Sequence, residues 1–316
     1  MGIRHGLFQR ALVNIEPLIR ALSIPWSFFL LGSGASYPYV PLMGDMKKII
    51  LTEASNVVRY LPNIHPRSPT GKRFFGTDYP DIPSGFIDTR VATLMAQTVS
   101  RCPNYQVFNF AVKPLTIFNM NTDGLARQYC RGHCVIEPHG SVPSNFINLF
   151  GPGLDGIYKS QLMFSRPKGL FTEGTLLPQR EPIGISSKFE YKMAEYYFRY
   201  ATYFVVIGYS FGRDGEVLDD HETFNFFKPL LRRRPKMPII LIDTNGEETA
   251  ARIHEATKLN ENIRIINAKW NVLSEAIICF ARKRYYCNSR GKGTVGQQVQ
   301  YLYDLIMSNY GENSGK

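Results

Sequence analysis

At 316 residues, 44% hydrophobic and 20% charged, the chain has the size and composition of one large α/β domain, or one domain with a small insertion. No apolar run reaches the roughly 18 residues a membrane-spanning helix needs, and Glu16 and Arg20 break the stretch where a signal-peptide core would lie. Lys and Arg number 37 against 26 Asp and Glu, a formal net charge of +11 that favours anionic partners of any kind.

In chain order, amphipathic spacing predicts a helix from about Leu7 to Leu22. A strand follows over Ser27 to Leu31 and ends in Gly32-Ser33-Gly34-Ala35-Ser36. A helix is expected from about Gly44 to Tyr60. Between Leu61 and Pro83 the chain is too punctuated by Pro and Gly for regular structure, and it reads as an excursion from the core. A helix over about Phe86 to Arg101 precedes two short strands, which end at Asn119 and Glu137. A second Pro- and Gly-rich excursion, 142–185, reads as a lid or small lobe. Then come a helix over Ser187 to Tyr200, a strand over Tyr203 to Ile207 and the small-residue turn Gly208-Tyr209-Ser210. A helix over Val217 to Leu231 leads to the strand Pro238 to Ile242, which ends in Asp243. A helix over Glu247 to Leu259, a strand over Ile263 to Ile266, and helices over Val272 to Tyr285 and Gly296 to Ser308 complete the chain. Strands alternating with helices argue for an α/β fold, a doubly wound parallel sheet with a loop-rich inserted lobe. The domain reading is an N-terminal helical extension over 1–26, a main domain over 27–285, and a C-terminal helix and polar tail over 286–316.

Five cysteines, Cys102, Cys130, Cys134, Cys279 and Cys287, are odd in number and scattered; they read as reduced thiols of a cytoplasmic protein. Cys130, His133 and Cys134 stand close together, but a metal site would need more ligands. The basic runs Arg232 to Lys236 and Arg282 to Arg284 read as solvated faces, and no nucleic-acid-binding motif accompanies them. Aromatic residues 196–204 read as core packing, and Phe224, Phe226 and Phe227 as core or subunit interface.

Chemistry concentrates at strand ends. His139 lies in Glu137-Pro138-His139-Gly140-Ser141, directly after one short strand, and Asp123 lies in Asn121-Thr122-Asp123-Gly124-Leu125, after another. In an open parallel sheet the carboxyl ends of strands are where ligands bind. An imidazole, an amide and a carboxylate would converge there, a set suited to moving protons. In Gly32-Ser33-Gly34-Ala35-Ser36 the glycines would let the backbone approach a pyrophosphate, although Tyr37 stands where the full dinucleotide fingerprint has its third glycine. Asp243 suits a ribose hydroxyl, or else a helix cap or turn.

Taken together and in order, GSGAS, NTDGL, HGS, GYSFG and a strand ending in an acidic residue resemble the sirtuin family. The resemblance spans roughly Ser27 to Asn245. It implies a Rossmann-like NAD-binding domain with a smaller inserted lobe. Carried over position by position, Gly32, Ser33, Gly34, Ala35 and Ser36 would hold the pyrophosphate, and Asn121 and Asp123 would border the nicotinamide-ribose pocket. His139 would be the catalytic base, Gly208 and Ser210 would contact phosphate or ribose, and Asp243 the adenosine ribose.

Two departures shape the expected activity. Deacylases of the family carry two Cys pairs after the His-Gly motif for a structural zinc, whereas no cysteine lies between Gly140 and Ile278 here. Tyr37-Pro38-Tyr39-Val40-Pro41 stands near the place of their Pro-Asp-Phe-Arg stretch. The pattern is more similar to sirtuin-like effectors of bacterial antiphage defence, which hydrolyse NAD+. The resemblance implies NAD as substrate, and the missing cysteines imply no zinc; because a constitutive NAD hydrolase would poison its own cell, a homo-oligomer or a separate partner subunit is expected to switch activity on. Nucleic acid would enter through that partner or the basic surface. An NAD-dependent protein deacylase and a non-catalytic NAD- or nucleotide-sensing subunit are the alternatives.

Overall fold

The computed structural model describes residues 15–42, 102–138, 185–211, 221–258 and 262–287, apart from isolated positions within them, and a few positions between 45 and 52. Among these residues six strands form one sheet in the order β3-β2-β1-β4-β5-β6. They are β1 (Phe28–Leu31), β2 (Thr116–Asn119), β3 (Cys134–Ile136), β4 (Phe204–Ile207), β5 (Ile239–Ile242) and β6 (Ile263–Ile266). Every pairing is parallel. This is the α/β, Rossmann-like doubly wound architecture expected from the alternation of elements, with helices covering both faces. The helices are α1 (17–23), α2 (Ser33–Ser36), α3 (Pro103–Gln106), α4 (Leu125–Tyr129), α5 (Ile185–Arg199), α6 (His221–Arg232), α7 (Gly246–Thr257) and α8 (Trp270–Cys287).

The strands are short apolar runs because both sheet faces are covered. All four residues of β1, β2, β4 and β5 are buried. Successive side chains leave opposite faces. Phe29, Leu31, Ile117, Val205 and Ile207 meet Leu18 and Ala21 of α1, Leu125 of α4, and Leu273 and Ile277 of α8. Phe28, Leu30, Phe118, Phe204 and Val206 meet Tyr191 and Phe198 of α5, Phe227 and Leu231 of α6, and Ile253 of α7. Phe227 is the hub of the second layer, with ring centroids 5.9 Å from Phe28, 5.7 Å from Phe118, 5.5 Å from Phe198 and 5.1 Å from Phe204.

The aromatic run from Tyr196 to Phe204, which spans the end of α5 and the start of β4, divides between two environments. Phe198 and Phe204 are core, as expected, but Tyr196 and Tyr200 are exposed. A helix turns about 100° per residue, so it cannot bury consecutive aromatics on one face. Phe224 and Phe227 are buried in the second layer. Two elements lack a strong sequence signal: α3, with the 3₁₀ turn Val107–Phe110 that follows it, and α4. Each is only one helical turn, too short for periodicity to show. Among the described residues no helix is long and apolar enough to cross a membrane. The expected excursion over 61–83, that over 142–185 except for Ile185, which opens α5, and the helices over 86–101 and 296–308 lie outside the described residues.

Candidate functional site

Strand order reverses between β1 and β4, since β2 and β3 continue from β1 on one side and β5 and β6 from β4 on the other. Such a switch point opens a crevice at the carboxyl ends of the strands. Here Leu31 pairs with Ile207 on one side and Asn119 on the other, so three strand ends lie side by side. The loops leaving β1 and β4 are in backbone contact. The Gly32 amide donates to the Ile207 carbonyl at 2.9 Å, and the Gly34 amide to the Gly208 carbonyl at 3.1 Å.

That contact is what the glycines permit. A Cβ on Gly32 would lie 2.4 Å from the Gly208 oxygen, and one on Gly208 would lie 2.4 Å from the Gly34 Cα. Gly208 also has φ +57°, the left-handed region that favours glycine. The glycines of Gly32-Ser33-Gly34-Ala35-Ser36 and Gly208-Tyr209-Ser210 thus weld two loops together at the switch point. The stretch after β1 is itself a single helical turn, α2, with Gly32 at its N-cap position. Ser33 presents an exposed side chain, while Ala35 and Ser36 are buried.

Beneath this junction lies a closed polar network. Ser36 donates its hydroxyl hydrogen to Oδ2 of Asp123, and its Oγ lies 2.7 Å from the Tyr105 hydroxyl. The Asn121 amide nitrogen lies 2.7 Å from the Gly32 carbonyl, 3.1 Å from Ser36 Oγ and 3.0 Å from the Tyr105 hydroxyl. Oδ1 of Asp123 accepts from the Leu125 amide at 2.9 Å. Asp123 is 1% exposed. Burial pushes its carboxyl up to about 6, opposed by the hydrogen bonds from Ser36 and Leu125 and reinforced by the charge of Glu137. Burial likewise raises the Tyr105 phenol well above its ordinary value, so it stays protonated. Asp123 is thus held by the Ser36 hydroxyl and the Leu125 backbone amide, while Asn121, half-buried, bridges the β1 and β2 loops.

A second network shapes the turn after β2. Asn119 Nδ2 donates to the Asn121 carbonyl at 3.0 Å and to Oε1 of Glu137 at 3.2 Å. Its Oδ1 accepts from the Asn121 amide at 3.3 Å. Arg127 Nε pairs with Oε2 of the buried Glu137 at 2.9 Å. The carboxyl ends of β2 and β3 are tied through this carboxylate.

His139, expected at the end of β3, lies outside the described residues, one position beyond Pro138. Asp243 follows β5 directly, and its Oδ1 accepts from the Asn245 amide at 2.9 Å. That is the turn role of a short acidic side chain. The Ser210 carbonyl accepts from Arg252 Nη1 of α7 at 3.0 Å, which anchors the β4 loop to the helix after β5. The structure thus brings Gly32–Ser36, Gly208, Asn121 and Asp123 into one contiguous cluster.

Tyr105, Asn104, Asn119 and Arg252 belong to the same surroundings and carry no motif in the sequence. Asn104 Nδ2 donates to the carbonyls of Ala35 and Tyr37 at 2.9 and 2.8 Å, where α2 leaves its last acceptors open. Pro103 at the first position of α3 is a helix-start signal, and it is the hint that the sequence offers for Asn104 and Tyr105.

Cys102 and Cys130 are buried thiols. Burial pushes Cys102 up to about 12 and Cys130 well above its ordinary value, so both stay protonated. His133 Nδ1 accepts from the Leu115 amide at 3.1 Å, so Nε2 carries the hydrogen and donates to the Phe108 carbonyl at 2.8 Å. Its imidazole closes a backbone gap, and burial lowers its pKa. Among the described residues no three metal-ligating side chains gather in one place.

No protein-family model matches the chain, and no curated protein does. Among solved structures it is similar to one described as "Structural Basis for the Mechanism and Regulation of Sir2 Enzymes", at 12% identity and a TM-score of 0.43, with 94% of this chain and 98% of that chain covered. The fold assignment rests on the strand order and pairing of the sheet itself.

Proposed function

We propose that the chain is an NAD+ hydrolase that cleaves the bond between nicotinamide and ribose and releases ADP-ribose. The supporting observation is the junction at the switch point, where glycine loops from β1 and β4 meet above the Asn121–Tyr105–Ser36–Asp123 network. A dinucleotide in this crevice would lay its pyrophosphate against Ser33 and the β4 loop and its adenosine ribose toward Asp243. Its nicotinamide ribose would lie near Asn121. Two glycine loops held in backbone contact are a rigid platform for such a ligand.

The chemistry needs little covalent help. The C–N bond to a pyridinium breaks toward a neutral leaving group, and positive charge develops on the ribosyl carbon. Asn121 orients a ribose hydroxyl or the attacking water. His139 takes the proton from that water as its oxygen bonds to the ribosyl carbon, and nicotinamide departs with the bonding electron pair. Asp123 contributes its charge from beneath. The absence of cysteine between Gly140 and Ile278 supports hydrolysis over transfer to a lysine-bound acyl group, because zinc-bearing deacylases draw four thiolates from that region.

Purified protein incubated with NAD+ should produce nicotinamide and ADP-ribose. His139→Ala and Asn121→Ala should each lower that rate by about 10² to 10⁴ while leaving far-UV circular dichroism unchanged. Wild-type turnover in both variants would remove the assignment.

A further inference from the structure

Tyr105 is wholly buried, so it touches no ligand, yet its hydroxyl stands at the centre of the network under the switch point. Its role follows from counting hydrogens. The Gly32 carbonyl has only lone pairs, so the Asn121 side-chain atom 2.7 Å from it must be the nitrogen. The second hydrogen of that amide faces the Tyr105 hydroxyl at 3.0 Å and Ser36 Oγ at 3.1 Å. Ser36 gives its single hydrogen to Asp123. Across the 2.7 Å contact between Ser36 and Tyr105, the phenol must therefore be the donor. Tyr105 then has only its lone pairs to offer Asn121. The donors run one way, from Asn121 through Tyr105 and Ser36 to the Asp123 carboxylate, and each bond polarises the next.

We propose that Tyr105 is a positioning residue for the candidate site: by accepting from the Asn121 amide it holds the nitrogen inward, so that Asn121 meets its ligand with the carbonyl oxygen. The group opposite Asn121 is then a hydrogen-bond donor, a ribose hydroxyl or a water, and not a phosphate or carboxylate oxygen. Without the phenol oxygen the amide keeps the Gly32 carbonyl and Ser36 Oγ but loses the nearer of the two acceptors that its second hydrogen faces. This inference rests on the hydrolase reading for its kinetic consequence, and on the hydrogen-bond geometry alone for its structural one.

Tyr105→Phe removes one oxygen and keeps the ring. In the full-length protein, solvent exchange of the Asn121 side-chain amide protons can be followed by NMR, with the signal assigned by its loss in Asn121→Ala. The wild-type protons should be protected, and Tyr105→Phe should speed their exchange by about tenfold, the factor expected for one net hydrogen bond. In NAD+ cleavage the same variant should lower kcat by about tenfold and leave KM within about threefold, since orientation and not affinity is lost. Wild-type amide protons that exchange like those of an exposed asparagine would overturn the proposal, even if the variant did not fold. Unchanged exchange and unchanged kcat in a folded Tyr105→Phe would overturn it too. A wild-type protein that left NAD+ intact would defeat the hydrolase reading alone, because the exchange measurement would still decide whether Tyr105 positions Asn121.

Discussion

Asp123 shows how one buried carboxyl ties site and stability together. Its two oxygens are satisfied by Ser36 and Leu125, yet burial raises its pKa to about 6 from an ordinary value of 3.8. Between about pH 4 and pH 6 the unfolded chain has released this proton and the folded chain still holds it. The native state then binds more protons, so its contribution to stability is complete below pH 4, falls as pH rises through 6, and is constant above. The loss is at most roughly 3 kcal/mol. Asp123→Asn does not titrate. Urea midpoints at pH 4, 5, 6 and 7 should therefore show the difference between wild type and variant changing over pH 4–6 and levelling above it. A difference independent of pH would mean that Asp123 has an ordinary pKa in the folded protein.

At the scale of elements, the junction between the β1 and β4 loops is a backbone contact that only glycine allows. Gly208→Ala would place a methyl carbon 2.4 Å from the Gly34 Cα and 2.8 Å from the Ala35 nitrogen, on top of a left-handed φ. Neither neighbour is a flexible side chain, so the loops must part. The expected cost is roughly 2–4 kcal/mol and, on the proposed hydrolase reading, loss of NAD+ cleavage. Gly132 is the matched control, because it has φ +88° but nothing within 4 Å of an added Cβ. Gly132→Ala should cost only the conformational part, about 1 kcal/mol. Equal destabilisation of the two variants in thermal melts would show that close approach is not the reason for Gly208. Helix ends follow a similar logic. Arg234 Nη1 donates to the Phe198 and Arg199 carbonyls, both at 2.9 Å, and Arg232 Nε donates to the Ala256 carbonyl at 3.1 Å. Part of the basic run thus caps the ends of α5 and α7, while Arg233 reaches Glu195 at 3.8 Å on the surface.

Across the whole molecule, two apolar layers on one sheet carry the stability, and the aromatic layer is the denser in rings. Phe227→Ala removes a fully buried ring that touches β1, β2, β4 and α5, and should cost about 3–5 kcal/mol in urea unfolding. Tyr196→Ala, at a position 57% exposed, should stay within about 0.5 kcal/mol. Similar losses at both positions would contradict the layer assignment. Phe224 and Phe227 are spent on this core, and Phe226 is partly buried against it.

The six strands were legible along the chain, since each is a short β-branched or aromatic run bounded by Gly, Pro or polar residues, and buried parallel strands must be apolar on both sides. Ile263–Ile266 is matched residue for residue, and the other strands lie within a residue or two of expectation. Gly32–Ser36, Gly208, Asn121 and Asp123 were legible as well, because strand-end glycines and carboxylates are positional signals along the chain. What these residues touch depends instead on how the elements pack. That the glycines meet each other depends on β1 and β4 being neighbours, although about 170 residues separate them along the chain. Tyr105 enters the site because the single turn Pro103–Gln106 packs under α2, and so short a turn has no periodicity to announce it. The burial that lifts the Asp123 carboxyl is likewise a property of the closed core, since desolvation depends on every surrounding element and on no one motif.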